Sequence, residues 1–99
     1  MKAASSSLKK LSFELGGKNP IIIFADSDLD EVIETTIKSS FINQGEVCLC
    51  ESRIYVERPA YEEFLNKFVA KVRTLKVGFP ENEETKVGAL ISKEHDITI

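Results

Sequence analysis

Hydrophobic and polar positions follow two periods along this chain, and the first of them predicts strands. In "LSFEL", residues 11–15, every second residue is apolar, which is the period of a half-buried strand. "IIIF", residues 21–24, is apolar throughout and predicts a strand buried on both faces, as in a parallel sheet covered by helices. "SRIYVE" predicts a third strand, and Gly16 and Gly17 end the first one.

The second period is the three-and-four spacing of amphipathic helices, and it occurs twice. In "DSDLDEVIETTIKSSF" one face collects the apolar and small residues, namely Leu29, Val32, Ile33, Thr36, Ile37, Ser40 and Phe41. Asp28 and Glu31 resemble a capping box at its start, and Gly45 can take the left-handed conformation that ends it near residues 43–45. A second helix should begin at Pro59, with the apolar stripe Tyr61, Phe64, Leu65, Phe68, Val69, Val72 and Leu75.

Together these elements predict an α/β fold. The order strand, strand, helix, strand, helix favours a mostly parallel sheet with helices packed on it, in which residues 21–24 and 53–56 form the inner strands. Residues 2–10 contain two alanines and end in two lysines, as the tail of a helix does. After the second helix, "KVGFPENEETKVG" predicts a polar loop, and "ALIS" predicts either a short strand or the start of a helix.

The composition narrows the classes of protein to consider. Ninety-nine residues, of which 42% are hydrophobic and 29% charged, predict one small folded unit. A formal net charge of −3 gives no basic excess for binding nucleic acid. The longest apolar run, "PIIIFA", is too short to span a bilayer, and the first residues lack the apolar core of a secretory signal. We therefore predict a cytoplasmic protein that binds neither nucleic acid nor membrane.

Cys48 and Cys50 are the two cysteines of the sequence, and a single residue separates them. A disulfide between them would be strained, so we expect both thiols to be reduced. Two thiols and one histidine, His95, are too few ligands for a zinc site, and we predict no bound metal. The thiols can be ordinary buried side chains, they can form a redox-sensing pair, or one of them can be a catalytic nucleophile.

Glu14 has the most unusual position of the acidic residues, because it places a carboxylate within a largely apolar strand pattern, two residues before Gly16. If the polar face of that strand is hydrated, Glu14 needs no special role. If instead the strand lies in a buried sheet, the carboxylate costs energy unless it is paired, and it is suited to act as a general base. The two glycines can likewise form a plain turn, or they can let a flat ring lie against the backbone.

Two longer strings resemble the active-site motifs of the NAD(P)-dependent aldehyde dehydrogenase superfamily. They are "LSFELGGKNP" and "FINQGEVCLC", and their order, their spacing and the later "KVGFPENEETKVGALIS" resemble the same family. The resemblance extends from about Lys2 to Glu94. Within the superfamily, "NQGEVCLC" is most similar to the branch that acts on hydroxymuconic and aminomuconic semialdehydes.

The resemblance implies a role for each motif residue in the oxidation of an aldehyde to a carboxylic acid. Cys48 would be the nucleophile that forms a thiohemiacetal, which loses hydride to the nicotinamide of NAD or NADP and becomes a thioester. Glu14 would be the general base that activates the hydrolytic water. The backbone of Leu15 and Gly16 would run beside the nicotinamide, and the Cys48 N–H would donate to the oxyanion. Cys50 would have no required role.

The resemblance also implies a domain organisation, because enzymes of this family are several times longer. Residues 1–10 would be the end of a cofactor-domain helix, residues 11–94 the start of the catalytic domain, and residues 95–99 a divergent tail. Such a piece would carry the nucleophile and base of an enzyme, would be inactive alone, and would self-associate through surface that other domains normally cover. The alternative is a structural or interaction module that retains the fold without the catalysis.

Overall fold

The computed structural model describes the backbone of residues 2–98 and the side chains of residues 2–95. The elements in chain order are strand β1 (Asn19–Ile23), helix α1 (Leu29–Phe41), strand β2 (Glu51–Val56), helix α2 (Arg58–Val72) and helix α3 (Lys93–Thr98). Short 3₁₀ turns occupy Lys2–Ala4 and Ile42–Gly45. Within residues 2–98, no helix combines the length and the apolar character needed to cross a membrane.

β1 and β2 form a parallel two-stranded sheet, which confirms the predicted sheet type. Ile21, Ile22 and Ile23 lie opposite Ile54, Tyr55 and Val56. The register shifts between Asn19 and Pro20, since Asn19 pairs with Glu51 whereas Pro20 pairs with Arg53. Proline has no N–H to donate to a ladder, so an irregular pairing is expected at this end of the sheet.

The core lies between one face of the sheet and the two long helices. Ile23 of β1, Ile33 and Ile37 of α1, and Phe64 of α2 form its buried centre. The Phe64 ring stacks on Phe68, with 5.2 Å between the ring centroids. The predicted apolar face of α1 is confirmed, because its buried residues, Ile33, Thr36 and Ile37, all belong to that face. The α2 stripe is confirmed in part, since Phe64 faces the core whereas Tyr61, Leu65 and Val69 are exposed.

The start of α1 agrees with the residue that predicted it, and its C-cap is Ile42, before the glycine that was expected to terminate it. The Asp28 carboxylate accepts hydrogen bonds from the backbone N–H groups of Asp30 and Glu31, at 3.0 and 3.2 Å. Among the described residues, the return bond from the Glu31 side chain that would complete a capping box is absent. The helix ends at Phe41, and Gly45 takes the expected left-handed conformation with φ of 81°.

Residues 11–15 do not form the predicted strand. They have no regular structure, and Leu11, Phe13 and Leu15 are exposed. A strand requires a neighbour for its backbone hydrogen bonds, and among the described residues β1 and β2 pair only with each other. The predicted helix over residues 2–10 is also wrong beyond the turn at Lys2–Ala4, and "ALIS" has no regular structure.

The prediction that residues 21–24 are buried on both faces is wrong for this chain. Ile22 and Phe24 are 64% and 60% exposed, and Tyr55, which pairs with Ile22, is 52% exposed. Both helices pack on the opposite face, where Ile21, Ile54 and Val56 meet the core. The sheet therefore has one covered face and one open apolar face, which we call the outer face (Ile22, Phe24 and Tyr55).

Candidate active site

Cys48 lies in the loop between α1 and β2, on a turn that we call the cysteine turn (residues 47–50). The Cys50 N–H donates to the Val47 carbonyl at 2.9 Å and closes this turn. The two thiols differ in environment, because Cys48 is exposed whereas Cys50 is buried. Cys48 is thus the thiol that a reactant in solution can reach.

The chain enters the cysteine turn through three successive residues with positive φ. Asn43, Gln44 and Gly45 have φ values of 48°, 60° and 81°. The Glu46 N–H donates back to the Asn43 carbonyl at 3.0 Å and holds this reversal closed. The reversal directs the chain away from the end of α1 and into the exposed loop that carries Cys48.

The side chain of Asn19 joins the start of β1 to the cysteine turn. Its Nδ2 donates to the Cys48 carbonyl at 2.7 Å and to the Cys50 carbonyl at 3.1 Å. Asn19 was not among the predicted site residues. The only available signal was a carboxamide placed immediately before Pro20, at the start of a buried strand.

Cys50 has a structural environment of its own. Its Sγ donates to the Ile42 carbonyl at 3.6 Å, directly after the end of α1. The interpretation of the cysteines as buried thiols therefore describes Cys50 and does not describe Cys48. Both thiols are free, as the sequence predicted.

Two further side chains tie this loop to the C-terminal part of the chain. Gln44 Nε2 donates to the Ala89 carbonyl at 3.0 Å, and Glu46 Oε1 lies 3.2 Å from His95 Nε2. Gly88 leaves the space for the Gln44 amide, since a Cβ there would lie 3.1 Å from Gln44 Nε2. Neither contact was predicted, because both join residues distant in sequence across a loop of irregular structure.

Glu14, Leu15 and Gly16 lie on the exposed irregular segment before β1. Among residues 2–95, Glu14 makes no hydrogen bond or ion pair with Cys48, so the structure does not bring the predicted base onto the predicted nucleophile. An added Cβ at Gly16 would meet no atom within 4 Å, and Leu15 is 72% exposed. The backbone at these residues is therefore open to solvent.

The groove between the two long helices does not contain Cys48, and the described residues form no metal site. A groove of about 630 Å³ lies between α1 and α2, and its lining includes Asp30, Glu34, Lys67 and Lys71 but neither cysteine. Lys67 pairs with Asp30 and Lys71 pairs with Glu34 across this groove. Among residues 2–95, no three His, Cys, Asp or Glu side chains come together as a metal site would require.

Comparison with known proteins gives one consistent result. A family model described as "Aldehyde dehydrogenase family" matches residues 1–99. The chain is 62% identical over 87 residues to 2-aminomuconic semialdehyde dehydrogenase from Danio rerio, covering 88% of this chain and 18% of that protein. It is 46% identical over 95 residues to 2-hydroxymuconic semialdehyde dehydrogenase from Pseudomonas sp. (strain CF600), covering 96% of this chain and 20% of that protein.

A solved structure agrees with these sequence matches. The crystal structure of an NAD-dependent aldehyde dehydrogenase from Sinorhizobium meliloti superposes with a TM-score of 0.91 at 34% identity, covering 97% of this chain and 19% of that one. The chain therefore spans about a fifth of the length of the relatives that it matches.

Proposed function

Since the chain belongs to the aldehyde dehydrogenase family, we propose that it carries the nucleophile of an enzyme that oxidises an aldehyde to a carboxylic acid. The observation that carries this proposal is the exposed Cys48 thiol on a turn held by side-chain hydrogen bonds to its backbone. In this proposal residues 11–94 belong to the start of the catalytic domain, residues 1–10 to a cofactor-domain helix, and residues 95–99 to a divergent tail.

Cys48 performs the covalent steps of this reaction. Its sulfur attacks the carbonyl carbon of the aldehyde while the thiol proton leaves to a base, and the product is a thiohemiacetal. Loss of hydride from the former carbonyl carbon and of the proton from its hydroxyl group converts the thiohemiacetal to a thioester; the hydride would pass to bound NAD⁺ or NADP⁺ and the proton to a base. Water then attacks the thioester, which releases the carboxylic acid and returns the sulfur to Cys48 as a thiol.

Glu14 is the proposed base for the hydrolytic step. A carboxylate that removes a proton from water makes that water a stronger nucleophile, and general-base assistance of this kind contributes about 10²- to 10⁴-fold to a rate. Hydrogen bonds of a catalytic base are often long or absent before the reactants bind, so the absence of a Glu14–Cys48 bond does not oppose this role.

When NAD or NADP is bound, its nicotinamide ring would be the hydride acceptor. The backbone at Gly16 fits one side of a planar ring, because a Cβ there would meet no atom within 4 Å. The name of the Sinorhizobium relative as NAD-dependent supports NAD as the first cofactor to test.

The proposed substrate class is a muconic semialdehyde. Relatives from an animal and from a bacterium, at 62% and 46% identity, carry names with such substrates. Two free cysteines fit a reducing compartment such as the cytoplasm. We expect no aldehyde oxidation by this chain alone, because residues from outside it must hold the cofactor and the aldehyde in reactive geometry.

An activated ester tests the nucleophile without any cofactor. Attack of Cys48 on p-nitrophenyl acetate releases nitrophenolate and leaves an acetyl thioester, which peptide mass spectrometry assigns to one cysteine. We expect acetylation of Cys48 in the wild-type chain and in Cys50→Ser, and none in Cys48→Ser. Equal acetylation of both cysteines, or a Cys48 rate no higher than in the urea-unfolded chain, would overturn the proposal.

Glu14→Gln tests the role of Glu14 in hydrolysis separately from the role of Cys48 in acylation, in the same assay. The variant should be acetylated at Cys48 as the wild type is, and its thioester should hydrolyse roughly 10²-fold more slowly. Exposed Glu81→Gln is the matched control, because it makes the same chemical change in the loop after α2. Equal hydrolysis rates in all three chains would contradict the proposed role of Glu14 and would leave the proposed role of Cys48 unaffected.

The open outer face favours a second candidate, a structural or interaction module. Ile22, Phe24 and Tyr55 are apolar or aromatic and mostly exposed, which is costly unless another surface covers them. We propose that, in this chain alone, a second copy covers the outer face. Self-association and cysteine acylation are independent measurements, so an associating chain with an inert Cys48 would favour the module.

A further inference from the structure

Gly17 and Asn19 connect the segment before β1 to the predicted nucleophile, Cys48. Gly17 lies against the Asn19 carboxamide, since a Cβ on Gly17 would be 2.9 Å from Asn19 Oδ1 and 3.3 Å from Nδ2. The same carboxamide donates to the carbonyls of Cys48 and Cys50. The absence of a side chain at Gly17 therefore leaves the space in which the Asn19 amide is held.

The chemistry of this contact requires a carboxamide. Two carbonyl oxygens converge on Asn19 Nδ2, and a primary amide nitrogen has two hydrogens to donate. Aspartate has the same shape, but its ionised oxygens would face two acceptors and donate nothing. The two bonds also span the cysteine turn, because one reaches Cys48 and the other reaches its last residue, Cys50.

Resting on the proposed role of Cys48, we propose that Asn19 is a positioning residue for the nucleophile. Its carboxamide fixes the Cys48 and Cys50 carbonyls, and through them the direction in which the Cys48 sulfur leaves the backbone. The Cys48 N–H belongs to the same turn, so the amide also orients a donor for the oxyanion that forms when sulfur attacks.

Asn19 lies outside the regular part of the sheet and outside the core, so its role in the cysteine turn can be tested without loss of the fold. Regular pairing of β1 with β2 runs from Pro20 to Ile23, and Asn19 lies beyond the register shift. Its side chain is outside the buried core of Ile23, Ile33, Ile37 and Phe64. Loss of the amide should therefore release the cysteine turn while the sheet and the core persist.

Amide hydrogen exchange in Asn19→Asp tests the positioning role. The Cys50 N–H, which closes the turn on the Val47 carbonyl, should exchange roughly tenfold faster, the factor expected for loss of one to two net hydrogen bonds. The Glu57 N–H donates to the Ile23 carbonyl at the end of β1 and should be unchanged. The matched control is Asn82→Asp, because Asn82 accepts through Oδ1 from the Glu84 N–H, and a carboxylate preserves that bond.

A pH titration of Asn19→Asp supplies a signature that a merely structural role would not give. At acidic pH the protonated carboxyl regains one O–H donor, so the amide resonances of Cys48 and Cys50 should return toward their wild-type positions. They should depart again as the new carboxyl ionises, with one common midpoint. In the wild type and in Asn82→Asp these resonances should show only the response to neighbouring carboxylates such as Glu51, and that response should be the same in both chains.

Gly17→Ala provides a second variant in case Asn19→Asp fails to fold. The new methyl group would displace the Asn19 amide without removing it, and Cys50 N–H exchange should rise while Glu57 N–H exchange does not. Unchanged Cys50 exchange in both variants, or equal acceleration at Cys50 and Glu57, would overturn the positioning role. An inert wild-type Cys48 in the ester assay would instead remove the proposed function, whatever the exchange data show.

Discussion

In the reversal after α1, the glycine at position 45 avoids a conformational cost that another residue would bear. Gly45 has φ of 81°, and a Cβ there would also lie 3.1 Å from the Ser40 carbonyl oxygen. Left-handed backbone costs other residues about 1–2 kcal/mol. Gln44 bears such a cost at φ of 60°, and its side-chain bond to the Ala89 carbonyl offsets part of it.

Gly45→Ala should lower the free energy of unfolding by about 1–2 kcal/mol, because alanine must adopt the left-handed conformation. Urea denaturation followed by circular dichroism measures the change. Gly16→Ala is the control, since its added methyl group meets no atom within 4 Å and its stability should match the wild type. Equal losses in the two variants would show that the positive φ of Gly45 is not the cause.

Single residues were predictable from sequence where a local rule applies. Asp28 caps α1 as predicted, and Gly45 takes the predicted left-handed conformation, although α1 ends before it, at Phe41. Asn19 was missed because its partners, Cys48 and Cys50, become neighbours only after β1 and β2 pair in one register. The roles of Cys48, Glu14, Leu15 and Gly16 came from resemblance to a family and stay predictions.

At the level of elements, Phe64 is the most buried side chain of α2. Phe64 is 3% exposed and packs among Ile23, Ile33 and Ile37, whereas Tyr61 on the same helix is largely exposed. Phe64→Ala should cost about 3–5 kcal/mol, and Tyr61→Ala should cost much less. Helical circular dichroism in urea distinguishes them, and similar midpoints for the two variants would contradict this account of the core.

Charge pairs between α1 and α2 add a pH-dependent contribution. Hydrogen bonds to Asp30 and then to Glu63 raise the pKa of Lys67 above its ordinary value of 10.5. A raised pKa means that this stabilisation is complete below pH 10.5 and is lost as pH rises through the folded-state value. The Lys67 side chain is substantially exposed, so salt should screen the effect.

Lys67→Met should therefore lower the urea midpoint slightly near pH 7 in dilute buffer, and the difference from wild type should shrink in 1 M NaCl and at strongly alkaline pH. Lys86→Met is the control, because among the described residues the Lys86 side chain has no ion pair. A difference that persists unchanged in high salt would point to packing of the lysine stem instead of charge.

Elements were predictable where their hydrophobic pattern finds a partner within the chain. The period of α1 matches its buried face because β1 and α2 are present to cover it. The alternation of residues 11–15 has the same clarity, yet no described segment pairs with it, and the segment lies exposed. A sequence pattern indicates which surface should be covered, and a second surface must exist for the element to form.

The whole molecule is more extended than its length requires. Its radius of gyration is 17.7 Å, whereas a compact domain of this size has about 13 Å. The segments before β1 and after α2 contain exposed apolar side chains, as the outer face does. Such a surface is expected to find a partner in concentrated solution.

Ile22→Lys tests this expectation, because it places a charge at the centre of the outer face opposite Tyr55. The wild-type chain should sediment as dimers or larger species at micromolar concentration, and the variant should shift toward monomer. Ile91→Lys is the control at an exposed position outside the sheet. A monomeric wild-type chain that binds no apolar dye would contradict self-association.

The bonds from Asn19 to the cysteine turn also have a consequence for biosynthesis. Asn19 leaves the ribosome well before Cys48 and Cys50, and the sheet register that brings them together needs β2, which follows both cysteines in the chain. On the nascent chain Cys48 is therefore untethered until translation has passed Val56. A Cys48 thiol of native orientation thus requires a chain whose β-α-β unit is already complete.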